Sequence, residues 1–189
     1  MSEPDRARPG APVRFGVLAV CTANICRSPM VEIMLRDRLA PARFEVASAG
    51  VLGWNDAPMD EMAERELARF GLDGSGFRSH PLSTYLVESA DVIVTATRDH
   101  RSRILEDDPR ALRWTFTLRE LAGLCEIVPD DVPDLRTFVS EAARARHRFT
   151  GDPDVQDPYR GGPELHRATA DLIHQSVAVV ADRLNSFSA

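Results

Sequence analysis

The spacing of apolar residues changes period several times along the chain. Residues 1–13 are rich in Pro and Arg, carry no period and read as a disordered tail. In residues 14–20, Phe15, Val17, Leu18 and Val20 form a short apolar run, the pattern of a strand buried on both faces of a parallel sheet. The period then becomes helical. Val31, Met34, Leu35 and Leu39 share a stripe behind Ser28-Pro29, with proline suited to a first helical turn. Residues 44–49 read as a second strand ending at Gly50. Pro58 opens a second helix with Met59, Met62, Ala63, Leu67 and Phe70 on one face and Gly71 as its stop.

Residues 91–96 (DVIVTA) form a third strand, 97–106 a short helix and 112–116 a fourth strand. The stretch 117–148 reads as one or two helices broken near Pro129 and Pro133, and 151–162 as a Pro/Gly/Asp loop. Residues 163–187 form a long helix with Leu165, Leu172, Ile173, Val177, Val180 and Leu184 inward. Strands alternating with helices predict an α/β fold built on a parallel sheet, in a single domain over 14–189. Such sheets bind ligands at the carboxyl ends of their strands, where strand order reverses. The first strand ends at Cys21.

Composition narrows the chemistry. All 23 basic residues of the 189-residue chain are arginine. Without lysine there is neither a Schiff base nor a Walker-type phosphate loop. A side-chain cation that grips an anion must be arginine or protonated histidine. The bias itself reads as codon usage and a solvated surface. The net charge of −6 argues against nucleic acid as the main partner. Three cysteines, Cys21, Cys26 and Cys125, make no secreted scaffold and suggest a reduced, cytoplasmic setting. Leu18-Ala19-Val20-Cys21 looks like a lipoprotein cleavage site, but Val20 is too large and the apolar run too short. No stretch approaches the roughly 18 apolar residues of a membrane span. The five histidines form no metal set. His166 and His174, eight residues apart on one helix, read as surface or edge positions. The run Arg144-Ala145-Arg146-His147-Arg148 reads as a solvated helix end.

The loop at the first strand end carries the candidate chemistry: Cys21-Thr22-Ala23-Asn24-Ile25-Cys26-Arg27-Ser28-Pro29. Five residues between cysteine and arginine can curl into a cradle of inward backbone N–H groups. The following helix start adds partial positive charge, and Arg27 closes the ring with a fork matched to two phosphate oxygens. The same field favours a thiolate at Cys21, to which Ser28 can donate. Far downstream, Asp157-Pro158-Tyr159 lies in the polar loop before the last helix. There Asp157 can protonate a leaving oxygen, or serve only as turn chemistry. Tyr159 and Trp54 are candidate pocket walls, and Arg160 a candidate substrate contact.

These motifs, with Ser48-Ala49-Gly50 and Asp91-Val92-Ile93-Val94-Thr95, resemble the low-molecular-weight protein tyrosine phosphatases in order and spacing across about residues 14–187. The resemblance implies a three-layer α/β/α fold with four parallel strands in the order 2-1-3-4. It implies hydrolysis of phosphotyrosine through a phosphocysteine, with no metal or cofactor, in a monomer or weak dimer. By the same resemblance Cys21 is the nucleophile, Arg27 binds phosphate, Ser28 assists the thiolate and Asp157 is the general acid. Thr22, Ala23, Ile25 and Cys26 complete the loop, Asn24 shapes it, and Trp54 and Tyr159 select an aromatic substrate. The partners are then a tyrosine-phosphorylated protein and an oxyanion in the loop.

The chain departs from the family at four places. Ala23 stands where glycine is usual, at a cost of about 1 kcal/mol if its φ must be positive. A histidine that braces Asn24 looks replaced by Gly76 or Phe77. Arg160 follows where a second tyrosine is common. The 117–148 stretch is long enough to cover the pocket, extend the core or form a dimer surface. Cys21 and Cys26 form a reversible disulfide or simply pack. Two other activities share these features: an arsenate reductase served by an external thiol, and a weakly active or non-catalytic phosphotyrosine-binding module.

Overall fold

The computed structural model describes residues 14–187, so the tail expected at 1–13 lies outside the described residues. Strand β1 (Phe15–Cys21) sits between β2 (Phe44–Gly50) and β3 (Val92–Thr95), and β4 (Thr115–Thr117) pairs with β3. All pairs are parallel and the order is β2-β1-β3-β4, as the resemblance implied. The order reverses at β1, and its register sets Cys21 opposite Gly50.

Alternate side chains of β1 serve two cores, because successive Cβ atoms point to opposite faces of a sheet. Val17 and Ala19 join the larger cluster with helices α1 (Arg27–Arg38), α2 (Glu61–Arg69), α5 (Leu118–Ile127), α6 (Leu135–Ala145) and α7 (Pro163–Asn185). Leu18 and Val20 join a smaller one with Ile93, with Val87 of α3 (Thr84–Ser89) and with Ile104 of α4 (Arg98–Asp107). No helix among the described residues is long and apolar enough to cross a membrane.

Local polar chemistry moves several boundaries. The second helix begins at Glu61 rather than Pro58, because the Asp60 side chain accepts from the N–H groups of Met62 and Ala63. Helix α3 was not expected; it has six residues and one fully buried side chain, Val87, too little for a readable stripe. Strand β4 is shorter than the apolar pattern suggested, since Pro109–Arg113 form a 3-10 turn.

The 117–148 stretch extends the core. Phe138 of α6 is buried, with its ring 5.7 Å from that of Phe187. Two arginines packed against this region, Arg183 of α7 and Arg146, depart from the surface reading. Arg183 is 7% exposed, lies about 5 Å from the Phe138 and Phe187 ring centres, and donates to Pro129 O and Asp130. Arg146, expected in a solvated helix end, lies 4.7 Å from the Phe116 ring centre, donates to Thr115 O and pairs with buried Glu120.

Gly50 lets the loop after β1 approach. A Cβ there would stand 2.7 Å from Thr22 O and 2.8 Å from the Ala23 carbonyl carbon. Gly50→Ala is therefore expected to lose on the order of 1–3 kcal/mol in urea denaturation, as an overpacked site does. Wild-type stability would show that the backbones have room to spare.

Candidate active site

The loop between β1 and α1 turns on Asn24, which adopts a left-handed φ of 57° and is fully buried. Asparagine tolerates this region better than most residues. Ala23 is not in the left-handed region, so the strain expected from a methyl there does not arise. Asn24 is held by three hydrogen bonds. Its Nδ2 donates to Ser28 Oγ (2.9 Å) and Ser48 Oγ (2.7 Å), and its Oδ1 accepts from the backbone N–H of His80 (2.8 Å). No histidine ring is among these partners, as expected; the backbone N–H of His80, four residues beyond Gly76, braces Asn24 instead. The chain reaches that point because Gly50 N donates to His80 O and Leu82 N to Gly50 O, which run the segment along β2.

The protons in this network have a direction. The Ser48 hydroxyl donates to buried Glu32, which also pairs with Arg36 one turn on. Ser48 therefore accepts from Asn24, and so does Ser28. The Ser28 proton is left for Cys21 Sγ, 3.0 Å away. Sequence reasoning missed Glu32. The available signal was an acid between the apolar Val31 and Ile33 with an arginine four residues on.

Arg27, 4% exposed, donates to Val155 O (3.2 Å), Thr22 Oγ1 (3.2 Å) and Asp157 Oδ2 (2.6 Å), while its Nε is buried without a partner. The Asp-Pro-Tyr loop and the Cys-to-Arg loop, 130 residues apart, thus meet directly. Thr22 Oγ1 also lies 2.9 Å from His100 Nε2. His100 Nδ1 accepts from the Thr97 backbone N–H, so Nε2 carries the ring proton and donates to Thr22. The Thr22 hydroxyl, accepting twice, keeps its own proton for an anion. Burial, then the nearby Arg27 cation, push His100 down to about 4. His100 was also missed, although Thr97-x-x-His100 is a visible capping pattern.

A cavity of about 220 Å³ opens over the loop. Buried Cys21 and Arg27 form its floor, Ile25, Leu52, Trp54 and Tyr159 its apolar walls, and exposed Asp157 stands at its edge. Leu52 had not been singled out. Arg160 lies with its guanidinium 5.3 Å from the Tyr159 ring centre. The three cysteines are unpaired. Burial, then the Asp60 carboxylate, hold the Cys26 thiol well above its ordinary range, and burial pushes Cys125 up to about 12. His166, expected at the surface, is 1% exposed, because the first turn of α7 packs its inner side toward Asp60 and Cys26.

The His100 shift has a testable sign. An unfolded histidine takes up its proton near pH 6.5, and the folded His100 refuses it until about pH 4. The folded state binds fewer protons across that window, so stability falls as pH drops from 6.5 to 4 and then levels. Urea denaturation of His100→Gln should show a shallower fall than wild type there. Equal slopes would contradict a neutral, buried His100.

A sequence model described as low molecular weight phosphotyrosine protein phosphatase matches residues 16–134. The low molecular weight protein-tyrosine-phosphatase Ptp of Acinetobacter johnsonii is 31% identical over 127 residues, covering 67% of this chain and 87% of that protein. Among solved structures, the YwlE arginine phosphatase from Geobacillus stearothermophilus superposes with a TM-score of 0.72 at 27% identity, covering 90% of this chain and 93% of the other. The tyrosine phosphatase Wzb from Escherichia coli K30, in complex with sulphate, gives a TM-score of 0.70 at 26% identity, over 90% of this chain and 99% of its own. With the loop geometry on β1, these likenesses place the chain in the low-molecular-weight phosphotyrosine protein phosphatase family.

Proposed function

We propose that this chain, as one catalytic domain from residue 14 onward, hydrolyses phosphotyrosine in proteins through a phosphocysteine intermediate. The observation that carries the reading is one cleft in which Cys21, Arg27 and Asp157 converge beneath aromatic walls. The thiolate of Cys21 attacks phosphorus in line as the P–O bond to the phenol breaks. Arg27, with the loop amides and the Thr22 hydroxyl, takes the charge of the transferring oxygens. Asp157, released from Arg27 by the incoming dianion, takes up a proton from solvent and gives it to the phenolate oxygen. It then removes a proton from water, which cleaves the P–S bond, frees phosphate and returns the thiolate, and it yields that proton to solvent as it pairs with Arg27 again. Ser28 donates to the leaving sulfur in that second step. Three unpaired thiols support a reduced, cytoplasmic setting.

A second reading comes from the relatives named as arginine phosphatases, one of them 28% identical over 91% of this chain. The lining favours tyrosine. Ile25, Leu52, Trp54 and Tyr159 suit a ring, and Asp157 is the one carboxylate among the lining side chains. A guanidinium leaving group needs more acceptors than that. Phosphotyrosine binding without turnover weakens for physical reasons, and arsenate reduction still requires an external thiol. Cys125 is buried in the core, so a thiol relay for arsenate would be external. The two features that pointed to a broken catalyst, a strained Ala23 and an unbraced Asn24, are both absent.

Turnover of p-nitrophenyl phosphate tests the mechanism. Cys21→Ser is expected to be inactive, and Asp157→Asn to lose on the order of 10²–10⁴ in kcat. Full activity in Cys21→Ser would end the proposal. Glu32→Gln should lower kcat about tenfold, the scale of one charge-assisted hydrogen bond, with KM little changed. For substrate choice, kcat/KM should favour a phosphotyrosine peptide over a phosphoarginine peptide by at least about tenfold, a single 1.4 kcal/mol step. The reverse order would select the second reading.

A further inference from the structure

Beside the phosphate loop, three elements bring together donors that the proposed hydrolysis does not use. Cys26 ends the loop, Asp60 caps α2, and His166 lies in the first turn of α7. A sulfur, a carboxylate oxygen and an imidazole nitrogen from these residues all lie within 4.8 Å of one another. Cys26 is 4% exposed and His166 1%. Neither Asp60 nor His166 lines the phosphate cleft.

The imidazole is the informative member. His166 Nδ1 is 3.2 Å from Gly162 O, a pure acceptor, so Nδ1 carries the proton. In the neutral ring Nε2 then presents its lone pair, buried and with no hydrogen-bond partner, 3.3 Å from Asp60 Oδ1. An acceptor then faces an acceptor at a nitrogen closed to bulk water, which is repulsive unless a proton or a metal ion lies between them. A ring fixed by Nδ1–H to a carbonyl, with Nε2 free, is the usual setting of a metal-bound histidine. Asp60 is held comparably, its Oδ1 accepting from two α2 amides.

We propose that Cys26, Asp60 and His166 form a site for a divalent cation of the zinc type, tying the loop to α2 and α7. One sulfur, one nitrogen and one oxygen donor suit zinc, whereas magnesium and calcium take oxygen ligands. Zinc bonds of about 2.0–2.3 Å bring tetrahedral ligands to about 3.3–3.8 Å apart. The side chains therefore need to close by about 1 Å. Binding displaces the Cys26 thiol proton to solvent, and a water fills the fourth position.

The test uses Cys21→Ser protein, which removes the competing thiol of the loop and makes the result independent of hydrolysis. Added Co2+ is expected to bind one per chain with a thiolate-to-cobalt charge-transfer band and the intense visible bands of tetrahedral cobalt. Zn2+ should displace it and raise Tm. In Cys21→Ser/His166→Gln, binding should weaken at least tenfold, and in Cys21→Ser/Cys26→Ala the charge-transfer band should vanish, with folding checked by circular dichroism. Should either variant fail to fold, X-ray absorption of the zinc-loaded Cys21→Ser chain decides, with one sulfur in the shell expected. No charge-transfer band, an unchanged band in the His166 variant, or a shell without sulfur would each overturn the site.

Discussion

The left-handed turn at Asn24 is the constraint on which the active site depends. One residue at φ 57° reverses the chain between β1 and α1, and only so can Cys21 and Arg27 face one cleft. The conformation is unfavourable for a side chain in isolation and persists because three buried hydrogen bonds specify it. Each partner comes from a different place: the start of α1, strand β2, and the segment bridged to Gly50. The sheet register and the loop shape are therefore one problem. Gly50 is where they meet, since the loop backbone lies against it.

How much could be read in advance followed the range of the forces involved. Strands such as β1 and β3 were legible because continuous apolar runs report burial directly. The Cys21-to-Arg27 loop was legible because its spacing encodes a local geometry. The support around it was not. Glu32 looks like a solvent acid on a helix until its pairing with Ser48 across to β2 is known. The brace on Asn24 is a backbone N–H, and any residue type supplies one, so a search for a histidine ring pointed to Gly76 or Phe77. His166 falls on the inner face of α7, but histidine is polar enough to be counted as surface when burial is inferred from composition.

Arginine was misread more instructively. Composition suggested codon bias as the reason for the missing lysine and a solvated surface as the place of the arginines, yet the fold has put several guanidiniums to structural use. Arg183 lies close to two phenylalanine rings while its edge donates to carbonyls, and Arg146 does the same at Phe116. A planar, weakly hydrated cation can be buried in this way where an ammonium would hold its water. A chain without lysine thus fills part of its core with charge.

The ion pair between Arg27 and Asp157 reaches beyond catalysis. A guanidinium at 4% exposure cannot stand alone, because an uncompensated buried charge costs several kcal/mol. Asp157 supplies the missing charge here, and under the proposed hydrolysis an arriving anion takes its place. A monoanion merely exchanges one charge for another and gains little. A phosphate dianion brings a second charge for the loop amides as well. Under the proposed hydrolysis, Asp157 is thereby both the acid and the resident counter-ion of the cleft.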